Sequence, residues 1–263
     1  MWGRFALASI LVCAASGAAA APITGPWMNA TGQGDGPITG ADTNSPVVGD
    51  GTPNSAEAEM IDSAFPRVTV ANTGDRVTLS GNVALEGTVG TAGGPRTQFR
   101  FGLFSDDDDG DDVGWVGYYM SNSSGTGTPA GTLARKPVGN TSVYLSTTGQ
   151  NALTSTQGNG VNFTDDTYTF SITLERAGDE LLVSGTLNGA TNGFTQSLSA
   201  TDTTASTLGT FTVNYVGFLL GGNLDADRAS FSNIDVTYVP VPEPAAAGLL
   251  GVCGLALLSR RRS

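Results

Sequence analysis

An acidic run is the feature of this sequence whose residue types most directly suggest chemistry. Asp106, Asp107, Asp108, Asp109, Asp111 and Asp112 stand together around Gly110. Carboxylates this close repel one another unless water or a cation neutralises them. If Gly110 is the sixth residue of an EF-type calcium loop, Ser105 takes the first position and Val116 the twelfth, where Asp and Glu are needed. Two interpretations therefore stay open, a calcium site of another kind and a solvated acidic loop.

A second group combines aromatic rings with polar side chains: Arg100, Trp115, Tyr118, Tyr119 and Asn122. Flat rings on a sheet can stack on sugar rings, while Arg and Asn bond to hydroxyl groups, so this group is a candidate glycan-binding set. Strand alternation puts Trp115 and Tyr119 on one face and Tyr118 on the other. At least one of these sets must then lie in the core, and ordinary core aromatics are the alternative for the whole group.

Catalytic patterns are missing from the sequence. The chain has no His, which excludes Ser-His and Cys-His nucleophilic pairs and imidazole metal sites. Its two Cys lie in apolar terminal segments, and the clustered carboxylates of a retaining jelly-roll glucanase, Glu-x-Asp-x-x-Glu, do not occur. We therefore predict no catalytic residue; a glycan-cleaving enzyme that uses scattered carboxylates is the remaining enzymatic alternative.

The N-terminal residues have the pattern of a secretory signal. Arg4 precedes an apolar stretch over residues 5–15, and Ala18 and Ala20 fit the small-x-small rule of signal peptidase. The apolar stretch is shorter than the roughly 20 residues that span a bilayer. We expect residues 1–20 to form a cleavable signal helix, with the cut after Ala20.

The C-terminal residues 240–263 form a three-part tail. Val241, Pro242, Glu243 and Pro244 make an extended stretch, an uncharged apolar segment over residues 245–258 follows, and Arg260, Arg261 and Arg262 stop translocation. This tail resembles the PEP-CTERM sorting signal of Gram-negative bacteria that make exopolysaccharide. The resemblance implies a short transmembrane helix as a transient inner-membrane anchor, and processing near Pro-Glu-Pro by an exosortase-type protease. It also implies delivery to the cell envelope or release from the cell, with extracellular polysaccharide as a partner.

Charge restricts the partners further. The chain carries 24 acidic and 12 basic residues, and four of the basic ones lie in the two terminal segments. Nucleic-acid binding depends on Lys and Arg meeting phosphate, so we exclude it. An acidic, hydrated surface suits an exported protein.

The pattern of the body predicts an all-β domain over residues 65–239, preceded by an irregular segment over residues 21–64. An edge strand within residues 21–53 is the alternative to irregular structure there. Short alternating stretches separated by turns predict about ten strands and an antiparallel β-sandwich. Near-helical spacing of apolar residues within 54–64 is compatible with a short helix, and residues 142–146 read as a weak strand. We expect the following apolar residues to be buried: Phe99, Phe101, Leu103, Phe170, Ile172, Leu174 and Leu187.

The strand pattern also resembles the concanavalin A-like jelly roll of lectins and laminin-G modules. The stretches that carry this resemblance are residues 98–104, the hairpin from Tyr168 to Gly189, and the last strand around Ile234. The leading prediction is an exported surface or extracellular-matrix protein with a non-enzymatic structural or interaction body and no cofactor. The alternative is a lectin-like glycan-binding module, assisted by calcium.

Overall fold

The computed structural model describes residues 17–30, 36–87, 98–106, 112–123, 131–156, 161–205, 211–222 and 224–241. These residues form fifteen strands and no α-helix. Every pair of neighbouring strands is antiparallel. The predicted all-β antiparallel class is confirmed.

Eight strands form one sheet in the order β13-β12-β11-β6-β15-β4-β3, with β1 added to β15. They are β1 (Ala19–Ala20), β3 (Ile38–Thr39), β4 (Val47–Val48), β6 (Arg76–Glu86), β11 (Asp166–Ala177), β12 (Glu180–Gly189), β13 (Thr195–Asp202) and β15 (Arg228–Val239).

Seven strands form the other sheet in the order β10-β9-β8-β7-β14-β5-β2. They are β2 (Met28–Asn29), β5 (Met60–Thr69), β7 (Gln98–Ser105), β8 (Val116–Ser123), β9 (Gly131–Lys136), β10 (Asn151–Thr156) and β14 (Thr212–Leu220).

The two sheets pack face to face on an aromatic core. Phe99 and Phe101 of β7 meet Phe170 of β11 at ring-centroid distances of 6.0 and 5.2 Å, and Phe218 of β14 meets Phe231 of β15 at 4.6 Å. Alternation places these rings between the sheets, where burial of apolar surface stabilises the sandwich. All seven residues predicted to be buried are buried.

The hairpin predicted around Gly178 is also confirmed. Ala177 of β11 pairs with Glu180 of β12, so Gly178 and Asp179 form a two-residue loop. Gly178 has a φ of 70°, the left-handed conformation that the first position of a type II′ turn requires.

The structure differs from the sequence-based assignment in residues 54–64. A turn precedes β5, which begins at Met60 where the spacing is compatible with a helix. Successive residues of a strand point to opposite faces, and both faces of this sheet are covered here, so Met60, Ile61, Asp62 and Ser63 are all buried. Burial on two faces explains the near-helical spacing of apolar residues.

Three further differences involve short or edge segments. Residues 142–146 belong to no strand and make one isolated bridge, between Val113 and Val143. The edge strand β10, which has little apolar alternation, is missing from the sequence-based assignment. The segment 21–64 is not only irregular, because its short strands pair with both sheets and Trp27 is buried, so the sandwich starts before residue 65.

Both terminal segments lie largely outside the described residues. No helix within the described ranges is long and apolar enough to cross a membrane. The apolar segment 245–258 is not among those ranges.

Candidate functional site

The outer face of the seven-stranded sheet, the one turned away from the eight-stranded sheet, carries the candidate site. Strand register aligns one residue from each of five strands: Asp62, Gly217, Gly102, Tyr119 and Ala134. The adjacent rows of the same face contain Phe104 with Lys136 on one side, and Met60 with Arg100 on the other. Polar, aromatic and glycine residues are therefore neighbours at the centre of this outer face.

A segment over residues 137–150, which we call the covering segment, lies on this outer face. Its Tyr144 ring rests on Gly217, where a Cβ atom would approach the ring to 2.3 Å. The same ring stacks on Trp115 at 4.7 Å between centroids and meets Phe104 edge-on at 5.0 Å. Glycine at position 217 is thus required by the close approach of an aromatic ring.

Hydrogen bonds tie the covering segment to the sheet. Arg100 Nη1 donates to the Leu145 carbonyl at 2.5 Å, and Lys136 Nζ donates to the Thr148 carbonyl at 2.6 Å. The Tyr119 hydroxyl contacts the Gln150 side chain. The polar side chains of the outer face therefore hold this segment in place.

Asp62 is the most electrostatically unusual group of the site. Its side chain is buried, Tyr144 donates to its Oδ2 at 3.2 Å, and its Oδ1 has no hydrogen-bond partner. Desolvation, followed by the charge of Asp112, raises the pKa of Asp62 to about 7 against the opposing Tyr144 bond. This carboxyl group therefore changes charge near neutral pH.

The two basic groups respond to burial in the opposite direction. Desolvation, and then the neighbouring Arg100, lowers the pKa of Lys136 to about 8. Desolvation also lowers the pKa of Arg100. Burial thus disfavours the charged form of each group, as expected for a covered surface.

The five candidate glycan-binding residues fall on two faces. Arg100, Trp115 and Tyr119 belong to the outer face, whereas Tyr118 and Asn122 point between the sheets. Trp115, Tyr118 and Tyr119 are all buried, so none of these rings is open to stack on a sugar. The expected placement of Trp115 and Tyr119 on one face and Tyr118 on the other is confirmed. All three rings are buried, as the alternative of ordinary core aromatics predicts.

The inner face holds a buried ion pair that the sequence analysis did not single out. Arg135 Nη1 of β9 donates to both carboxylate oxygens of Asp202 at 2.7 Å, and Tyr118 donates to Asp202 Oδ2 at 2.8 Å. Desolvation opposes ionisation of Asp202, but its bonds to Arg135, Thr204 and Tyr118 hold its pKa below the usual value. This cluster joins β8 and β9 of one sheet to the edge strand β13 of the other.

Of the acidic run, only Asp106 and Asp112 are described; Asp107, Asp108, Asp109 and Asp111 lie outside the described residues. Asp106 Oδ1 accepts from Asn214 at 2.8 Å and from Arg67 at 3.3 Å. The Asp112 carbonyl accepts from the Tyr144 amide at 3.3 Å. Within the described ranges, no group of three or more His, Cys, Asp or Glu is placed to hold a metal.

The first described strand, β1, pairs with the last, β15. Ala19 pairs with Tyr238 and Ala20 with Thr237, so Ala18 and Ala20 of the expected cleavage site lie beside the last strand. Val241 follows that strand, whereas Pro242, Glu243, Pro244 and the arginines 260–262 lie outside the described residues. The sequence analysis missed Asp62, Tyr144, Arg135 and Asp202, because each is an isolated residue whose partner is distant in sequence.

Comparisons with known proteins give similarity at the level of structure. No protein-family model and no curated protein matches the chain. The CBM2 module of the evolved Dit of Lactobacillus casei BL23 phage J-1 has a TM-score of 0.49 at 11% identity, over 86% of this chain and 97% of that one. Lectin I from Ulex europaeus, in complex with the methyl glycoside of α-L-fucose, has 0.47 at 11%, over 81% and 92%. Lectin I-B4 from Griffonia simplicifolia has 0.46 at 13%, over 81% and 92%.

Proposed function

We propose that this chain is an exported cell-surface or extracellular-matrix protein delivered through its C-terminal sorting tail. Signal peptidase removes residues 1–20, and an exosortase-type protease processes the tail near Pro242, Glu243 and Pro244. The sandwich then serves as a non-enzymatic structural or interaction module in the cell envelope.

The position of Ala21 beside the last strand is the observation that carries this proposal. Before the cut, Ala19–Ala20 pairs antiparallel with the end of β15. After it, Ala21 is the first residue of the mature chain, and its amide still donates to the Val236 carbonyl of β15 at 2.7 Å. The expected cleavage site therefore lies beside the strand that leads into the tail, which suits a domain that both segments hold at the membrane before signal peptidase acts.

Mass spectrometry of the exported protein tests the proposal. We expect the mature chain to begin at Ala21 and to lack Arg260, Arg261 and Arg262. Glu243→Ala should spare membrane insertion and block tail processing, whereas the control Glu180→Ala, in the β11–β12 hairpin, should be processed normally. Replacing the three arginines by Ser should let unprocessed protein pass through. An intact Ser263 on most exported molecules would contradict the proposal and indicate a permanent anchor.

Glycan binding is the second candidate function, and the polar composition of the outer face favours it. Arg100, Lys136 and the Tyr119 hydroxyl lie close together on one sheet, where they supply donors for sugar hydroxyls once the covering segment is displaced. Because the rings are buried, hydrogen bonding would have to dominate over stacking. A glycan array, with and without chelator, tests binding and its dependence on calcium.

Two further measurements separate the remaining alternatives. Calcium bound at the acidic run should raise the melting temperature as its concentration increases. A melting temperature that is insensitive to millimolar calcium and to chelator supports the solvated loop. Release of reducing sugar from envelope polysaccharide would instead indicate a glycan-cleaving enzyme.

A further inference from the structure

The loop between β5 and β6 encloses a buried carboxylate that contacts the end of the chain. Asp75 is fully buried, and its Oδ2 accepts from the amides of Ala71 and Asn72, both at 2.9 Å. The same oxygen accepts from the Tyr238 hydroxyl of β15 at 3.1 Å. Asp75 thus joins its own loop to the final strand.

The other oxygen of Asp75 binds the first residue of the sorting motif. The Val241 amide donates to Asp75 Oδ1 at 2.6 Å. Val241 is flanked by Pro240 and Pro242, which have no N–H, so it is the only backbone donor in this tripeptide. A short bond to an ionised acceptor is about twice as strong as a neutral one.

The geometry of the loop fits this contact. Gly74 has a φ of 92°, and a Cβ atom there would lie 2.9 Å from Val241 Cγ2. Desolvation opposes ionisation of Asp75, but the bonds from Val241, Asn72, Tyr238 and Ala71 hold its pKa below the usual value. The carboxylate is therefore charged at neutral pH when it binds the tail.

We propose that Asp75 clasps the tail at Val241 and thereby limits the rate at which the processing protease reaches the Pro-Glu-Pro motif. This inference rests on the proposed sorting function. A protease binds an extended stretch of free chain, so a motif that begins one residue after a fixed amide becomes accessible only when that contact opens. Asp75 is a positioning residue, and it takes no part in peptide cleavage.

Hydrogen exchange of the full chain in detergent micelles tests the contact directly. The Val241 amide should exchange slowly, and Asp75→Asn should accelerate its exchange by about tenfold or more. Asp179→Asn removes the same charge from the exposed β11–β12 turn, so it should leave the Val241 exchange rate unchanged. Exchange of Val241 at the rate of an unstructured peptide in the unmodified chain would overturn the proposal.

Pulse-chase mass spectrometry in the producing cell tests the consequence. Val241→Pro removes the donor and leaves the Asp75 loop intact. We expect faster tail processing in Asp75→Asn and Val241→Pro, and an unchanged rate in Asp179→Asn. If Asp75→Asn fails to fold, Val241→Pro compared with Asp179→Asn decides the question.

The outcomes distinguish this proposal from the function on which it rests. A protected Val241 amide with equal processing rates in all variants would overturn the proposed control of access and leave the sorting function intact. If neither the unmodified chain nor any variant is processed, the proposed sorting function is overturned. The proposed control of processing is then overturned as well.

Discussion

The Tyr144 hydroxyl donates to Asp62 Oδ2 at 3.2 Å and joins the covering segment to the strand beneath it. Tyr144 comes from a segment without regular strand pairing, and Asp62 lies within β5. Both side chains are buried, and desolvation raises the pKa of each, that of Tyr144 well above its ordinary value. Tyr144 therefore keeps its proton and remains the donor, and its bond favours the ionised form of Asp62 against the opposing effect of desolvation.

Asp62 makes the stability of the sandwich depend on pH. Its pKa is about 7 in the folded chain and near 4 in the unfolded chain, so the folded state binds the proton more tightly. Its contribution is fully present below about pH 4 and is lost as the pH rises to 7, by a few kcal/mol. We expect Asp62→Asn to gain stability relative to the unmodified chain over that range, measured by urea unfolding at several pH values.

Asp179→Asn is the matched control for this measurement, because Asp179 is exposed in a turn. The difference in unfolding free energy between this variant and the unmodified chain should vary little from pH 4 to 7.5. An equally flat difference for Asp62→Asn would show that Asp62 is not protonated at neutral pH.

Gly217 and Tyr144 should show strong energetic coupling. Gly217→Ala places a methyl group against the Tyr144 ring and should cost about 1–3 kcal/mol of unfolding free energy. In a Tyr144→Ala background the same methyl group has space, so its cost should largely disappear, and a double-mutant cycle measures the coupling. A Cβ atom at Gly222 would meet only ordinary contacts, at 3.8 and 3.9 Å, so Gly222→Ala should be nearly neutral.

Local pattern was sufficient to predict the sandwich class, the central strands and the β11–β12 hairpin. Alternation in residues 168–174 reports burial of one face, because β11 has a covered face and a more polar one. In residues 98–104 the alternation comes from the polar Gln98 and Arg100, although both faces of β7 are covered from Phe101 to Phe104. In β5, by contrast, the covering segment buries the second face as well, and the alternation that identifies a strand is lost. The difference at residues 54–64 follows from that tertiary contact.

Prediction of the candidate site from sequence was limited even more by contacts between residues that are distant in the chain. Arg100, Trp115 and Tyr119 attract notice because aromatic and basic residues stand close together in sequence. Asp62 and Tyr144 are 82 residues apart, and neither belongs to a recognisable motif. They come into contact because of the strand register and the path of the covering segment. Neither the register nor that path can be read from a single sequence.

Substitution of Arg135 should show how much the buried ion pair with Asp202 contributes to the free energy of unfolding. Arg135→Met leaves the Asp202 carboxylate buried without its cation, and we expect a loss of about 3–5 kcal/mol in urea unfolding. Arg135→Met combined with Asp202→Leu should recover most of that loss, because the uncompensated charge is then gone. Arg228→Met breaks the exposed pair with Glu86, 3.4 Å long, and should cost less than about 1 kcal/mol. Equal losses for Arg135→Met and Arg228→Met would show that the Arg135–Asp202 pair contributes no more than a surface ion pair.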